Sequence, residues 1–239
     1  MLVLCHLFVG ALLGLAIYKW KGDVLAVPVA AVAAILPDLV DKPLGHIFLQ
    51  ATLDNGRIFG HSLLFMGALV GLTAALTWRQ HRVLALALLA GIASHFVLDA
   101  MWALPTTLFW PLLGPFTPGH YPDYFGNSIV AELTSLSEYA FLLGLVLIGA
   151  SLYRDRLGPR LRTLADFIVR HRRAVYAVLI AFGIVQLVLA ALAFLDDPIE
   201  GQNKLIAAVA LLAGGAALRS LELNISSPYD SSIRDEEWV

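Results

Sequence analysis

Long apolar runs separated by short polar connectors dominate the chain, and their lengths predict membrane helices. The runs cover roughly residues 2–18, 24–36, 61–78, 83–104, 138–153, 175–195 and 205–218. The second is short for a hydrocarbon core of ~30 Å, so one of its ends is expected to open into a cavity. The last is also short. Between the fourth and fifth runs, Pro105, Pro111, Pro115, Pro118 and Pro122 exclude a continuous helix. Gly10 and Gly14 form a G-x-x-x-G step, as do Gly67 and Gly71, and both steps predict close helix packing. The expected fold is all-α, a polytopic transmembrane helical bundle of about six or seven spans.

Composition agrees with this reading. Only 14% of the 239 residues are charged, against ~25% in soluble domains. The mean hydropathy is +0.78. A net charge of −2 offers no polybasic surface, which argues against nucleic acid as a partner. The single cysteine, Cys5, excludes an internal disulfide. The N-terminal run has no basic segment before it and reads as a first span, not a signal peptide.

Basic residues set the expected orientation. Lys19 and Lys21 follow the first run, and Arg79 and Arg82 the third. Seven arginines between Arg154 and Arg173 follow the fifth. These connectors alternate and should be cytoplasmic, which puts the N-terminus outside. The expected location is the cell (plasma or inner) membrane, crossed several times. The expected organisation is a membrane domain over 1–153, a basic connector with two further spans over 154–221, and a polar, disordered tail over 222–239.

The ionisable residues change the picture most. His95 and Asp99 lie four apart in an apolar run, on one helical face. Charged groups there are costly and mark function, although a His–Asp pair that merely locks helices together is an open alternative. His6, Asp38, Asp41, His61 and Glu138 all fall at the outer ends of their runs, on the same side as that pair. Imidazole and carboxylate together suit a divalent metal: zinc, or alternatively manganese or iron. The expected ligands are His6, Asp38, His61, His95 and Asp99. Asp41 or Glu138 is the expected general base, and Arg57 the group that binds a substrate phosphate. His46, His81, His120 and His171 carry less weight; His120 and Asp123 would edge the site from the long loop. Aromatic residues of that loop, among them Trp110, Tyr121 and Tyr124, would lid it.

Four stretches carry a family resemblance: HLFVGALLG, LPDLVDKP, GRIFGHSLLF and SHFVLDAMWALPTTLFWPL. Over roughly residues 1–153 the chain resembles the YdjM-type membrane-bound metal-dependent hydrolases. That pattern often reads H-R-G-x-x-H-S, whereas this chain has Gly56 at the first of those positions. The order His, Asp, His, H-x-x-x-D is also similar, more weakly, to the helical zinc phospholipase C and P1 nuclease group. These resemblances imply hydrolysis of a phosphate ester or lipid-linked substrate, with membrane lipids as neighbours. A transporter or proton or metal-ion pathway built on the same cluster, and a structural protein with a metal staple, are the competing expectations.

Overall fold

The computed structural model describes residues 3–77 and 82–220, and every regular element among them is helical. His81, the end of the third apolar run and the tail at 222–239 lie outside the described residues.

The chain divides into two units, residues 1–138 and 139–239. In the first unit, α1 (Val3–Lys21) packs against α2 (Ala26–Ala33) and α5 (Arg82–Leu98). Small residues make this approach possible. A Cβ on Gly10 would sit 2.6 Å from the Ala30 carbonyl, and one on Gly14 would sit 2.5 Å from the Ala26 carbonyl. Gly91 of α5 abuts Ala30 from the other side. Ile17, Ala26, Ala30 and Ala87 form a core where the three helices meet. Gly67 and Gly71 differ from expectation: both lie on α4 (Leu63–Thr77) and face open space among the described residues.

The second apolar run breaks early. Its helix α2 has eight residues, about 12 Å at 1.5 Å per residue, too short to cross a bilayer alone. A turn at Ala34 and Ile35 leads into α3 (Leu36–Pro43), with Pro37 in its first turn, where a missing N–H costs nothing. A π-turn over Leu44–Phe48 extends α3. A short 3-10 turn, Phe59–His61, leads into α4. The α5 helix ends as Ala100 takes a left-handed conformation (φ 51°). The proline-rich stretch beyond holds only α6 (Pro105–Leu108) before α7 (Tyr124–Thr134), as its prolines require.

In the second unit, α8 (Leu136–Tyr153) is continued from the end of the first. It is followed by α9 (Pro159–Arg170), α10 (Arg172–Ala193) and α11 (Pro198–Ser220), and α10 and α11 pack together. Gly183 and Gly215 lie at that contact. The α9 helix was not anticipated. It is amphipathic, with Leu161, Leu164 and Phe167 exposed at a spacing of three among its arginines.

Among the described residues four helices, α1, α8, α10 and α11, are long and apolar enough to cross a membrane; α4 and α5 are shorter apolar helices. On α10, Ile184, Val185, Leu187, Val188 and Leu192 are all exposed. Such an apolar surface is at home in lipid, not water.

Candidate metal centre

The site is assembled in the first unit where α3, the Phe59–His61 turn and the end of α5 converge. Its base is Asp41, fully buried on α3. One oxygen accepts hydrogen bonds from the Ile58 N–H (2.7 Å) and the His61 N–H (3.2 Å), and the other from the Gly60 N–H (2.7 Å). Gly60 permits this: a Cβ there would press on the Pro37 carbonyl at 2.9 Å and the Asp41 carboxylate at 3.1 Å. Asp41 thus shapes the turn that carries His61.

Asp41 also fixes the His61 ring. The His61 Nδ1 lies 2.7 Å from Asp41 Oδ2, and a carboxylate in this position accepts, so Nδ1 carries the proton. His95 is fixed in the same manner, its Nδ1 donating to the Ala34 carbonyl at 2.7 Å. That carbonyl sits where the break after α2 exposes it. Both Nε2 atoms therefore hold bare lone pairs, and they face each other 3.0 Å apart. Adjacent ligand atoms around a tetrahedral zinc, at ~2.0–2.1 Å from the ion, stand ~3.3 Å apart.

Two carboxylates complete the group. Asp38 Oδ1 is 3.6 Å from His61 Nε2 and 3.9 Å from His95 Nε2. Asp99 Oδ2 is 3.8 Å from His61 Nε2 and 3.9 Å from His95 Nε2. One atom from each of Asp38, His61, His95 and Asp99 lies within 4.8 Å of the others, a His₂Asp₂ set able to hold a metal ion. Four acceptors aimed at one point repel one another unless a cation sits among them. The donor set therefore fits a divalent ion.

The remaining expected residues take other places. His6 stacks on His95 with ring centroids 4.3 Å apart, and its Nε2 is 3.3 Å from Asp99 Oδ1. Both His6 ring nitrogens are buried, and neither has a hydrogen-bond partner among the described residues. His6 adjoins the four-residue group through Asp99. Glu138 is turned elsewhere: its carboxylate accepts from the Leu4 and Cys5 N–H groups at 2.8 and 3.2 Å, capping the first turn of α1. Arg57 donates from Nε to Asp99 Oδ2 at 2.9 Å while its side chain stays 42% exposed.

A cavity of about 470 Å³ adjoins the cluster, with Asp38 and Asp99 in its wall beside Lys42, Arg57, His46 and Tyr124. Asp41 and Glu138 do not line it. The proline-rich loop forms part of this wall and is tied down by hydrogen bonds from Asn55 Nδ2 to the Thr117 carbonyl (2.8 Å) and from the Gly119 N–H to the Leu53 carbonyl (2.7 Å). Trp110 and Phe116 pack on Phe59 instead of lining the cavity. His120 is exposed, and Asp123 caps α7 through the Gly126 N–H. His171 lies in the second unit and donates to the Phe167 carbonyl.

Sequence reasoning passed over two cavity groups, Lys42 and His46. Lys42 bonds Asp38 Oδ2 at 2.6 Å. Burial alone would raise the Asp38 pKa, but the Lys42 ammonium outweighs it and holds the carboxyl below its usual range. His46 is buried, bonds Asp54 Oδ1 through Nδ1 at 2.8 Å and stacks on Tyr124 at 3.7 Å. Its ring fills the space over Gly56, where a Cβ would lie 2.6 Å from His46 Nε2. Only the one-turn spacing of Asp38 and Lys42 was visible as a local signal. The His46–Asp54 pair depends on a loop folding back.

A family model described as YdjM inner membrane protein matches residues 1–195. The chain belongs to the YdjM inner membrane protein family. With its long apolar helices, this makes it an integral membrane protein. No curated protein and no solved structure matches it.

Proposed function

We propose that this YdjM-family protein is a membrane-embedded metal-dependent hydrolase acting on a phosphate ester or lipid-linked substrate. The observation that carries the reading is the pair of bare Nε2 lone pairs, 3.0 Å apart beside two carboxylates and a cavity. Asp38, His61, His95 and Asp99 hold the ion, zinc fitting best and manganese or iron also suiting these donors. A bound ion supplies Lewis acidity and a water of lowered pKa.

The protein's own groups do the rest. Asp41 holds His61 in the ligating tautomer, and Ala34 does so for His95. In this reading Asp41 positions His61 and Glu138 caps α1, and the general base lies elsewhere. Asp38 and Asp99 are the carboxylates that reach the cavity. Arg57, half-exposed in its wall, meets the substrate's anionic group, and Lys42 adds a second positive charge. Membrane lipids surround the site, so an amphiphilic ester reaches it without leaving the bilayer.

The topology that goes with this reading has six or seven crossings, the N-terminus outside and the cluster at the outer face. The test is turnover of 4-nitrophenyl phosphate and of phospholipids by detergent-purified, zinc-loaded protein. Turnover abolished in His61→Ala supports the reading. A bound metal with no turnover of any ester leaves the staple.

A further inference from the structure

The His46–Asp54 pair is a second chemical group in the cavity wall. His46 Nδ1 is held by Asp54 Oδ1 at 2.8 Å, and Asp54 Oδ2 is held in turn by the Tyr121 N–H at 2.6 Å. The ring is clamped further by Tyr124, stacked at 3.7 Å. The His46 side chain is only 2% exposed, and its Nε2 has no hydrogen-bond partner among the described residues. A buried polar atom without a partner is costly. This one lies against Gly56, and both residues line the cavity beside Lys42 and Arg57. None of the metal-cluster residues bonds to the pair. An imidazole aimed by a carboxylate, its far nitrogen unengaged in a residue that lines the cavity, has the makings of a proton-transfer group.

Resting on the hydrolase reading above, we propose that His46, positioned by Asp54, is the general acid that protonates the leaving oxygen of a phosphate ester. A water oxygen forms a bond to phosphorus as the bond from phosphorus to the leaving oxygen breaks. The leaving oxygen keeps the electron pair and takes the Nε2 proton of the His46 imidazolium, which Asp54 stabilises. The attacking water releases a proton, and His46 regains one from solvent before the next turnover.

The test compares two esters that differ in their need for an acid: phenyl phosphate, whose leaving group is poor, and 4-nitrophenyl phosphate, whose leaving group departs unaided. Wild-type, His46→Ala, His46→Gln and Asp54→Asn proteins are purified in detergent, and melting profile and metal content are measured alongside. The expected result for His46→Ala is a loss of ~10²–10⁴ on phenyl phosphate, a much smaller loss on 4-nitrophenyl phosphate, and unchanged metal content. His46→Gln keeps a polar amide but moves no proton, so it should fail on phenyl phosphate as well. Equal losses on the two esters, rescue by His46→Gln, or metal lost from His46→Ala would each overturn the assignment. Wild-type protein that turns over neither ester overturns the hydrolase reading itself, a different result from wild-type activity that His46→Ala slows equally on both.

Discussion

Asp41 commits both carboxylate oxygens to three backbone N–H groups and the His61 ring. Asp41→Asn keeps the size but places an N–H₂ where a donor already points. Its effect should appear as a metal affinity lowered ~10–100-fold, read by zinc titration of the purified protein. An unchanged affinity would separate Asp41 from the ligand set. Asp54 gives a prediction in pH. The Tyr121 N–H, and then His46, hold its carboxyl below the usual range. A depressed folded pKa contributes stability above the unfolded value of ~3.9 and loses it as pH falls through the folded value. The melting-temperature difference between wild type and Asp54→Asn should therefore shrink as pH falls below ~4. A difference that stays constant or grows below that pH would contradict this. Histidines and aspartates inside apolar runs were legible because such groups are rare there. His46 and Asp54 were not, because both sit in a polar connector where the same residue types are ordinary.

At the scale of elements, the two G-x-x-x-G steps look alike in sequence and differ in the structure. Gly10 and Gly14 let α1 touch the backbone of α2, whereas Gly67 and Gly71 meet nothing within 4 Å among the described residues. Gly14→Val should destabilise the protein by at least ~1–3 kcal/mol through overpacking, while Gly67→Ala should be neutral or gain up to ~1 kcal/mol in helix propensity. Thermal melting in detergent distinguishes them, and equal effects would contradict the packing described. The step has the same spacing in both helices, and only tertiary contact tells them apart. The broken α2–α3 segment was partly legible from its short apolar run and Pro37. Its consequence, a free Ala34 carbonyl for His95, was not, because it depends on a contact across 61 residues. The α9 helix was missed because its arginines read first as an orientation signal.

For the whole molecule, basic connectors and apolar runs together order the proposed crossings. With Cys5 buried, introduced cysteines report cleanly. Asp196→Cys, between α10 and α11, should react with a membrane-impermeant maleimide added outside intact cells or spheroplasts, and Gly158→Cys, before α9, should not. The reverse pattern would invert the orientation and move the cluster to the cytoplasmic face. The all-helical class and membrane location were legible in composition and run length alone. The cavity was not, since its wall comes from a proline-rich loop tied to Leu53 and Asn55 by non-local hydrogen bonds. The central claim is that four side chains from α3, the turn before α4 and the end of α5 hold one cation. The most direct measurement is the metal-to-protein ratio, by elemental analysis, of wild-type and His95→Ala protein purified identically. About one ion or more per chain is expected in the wild type and a value near the blank in His95→Ala. The same ratio in both proteins would contradict that claim.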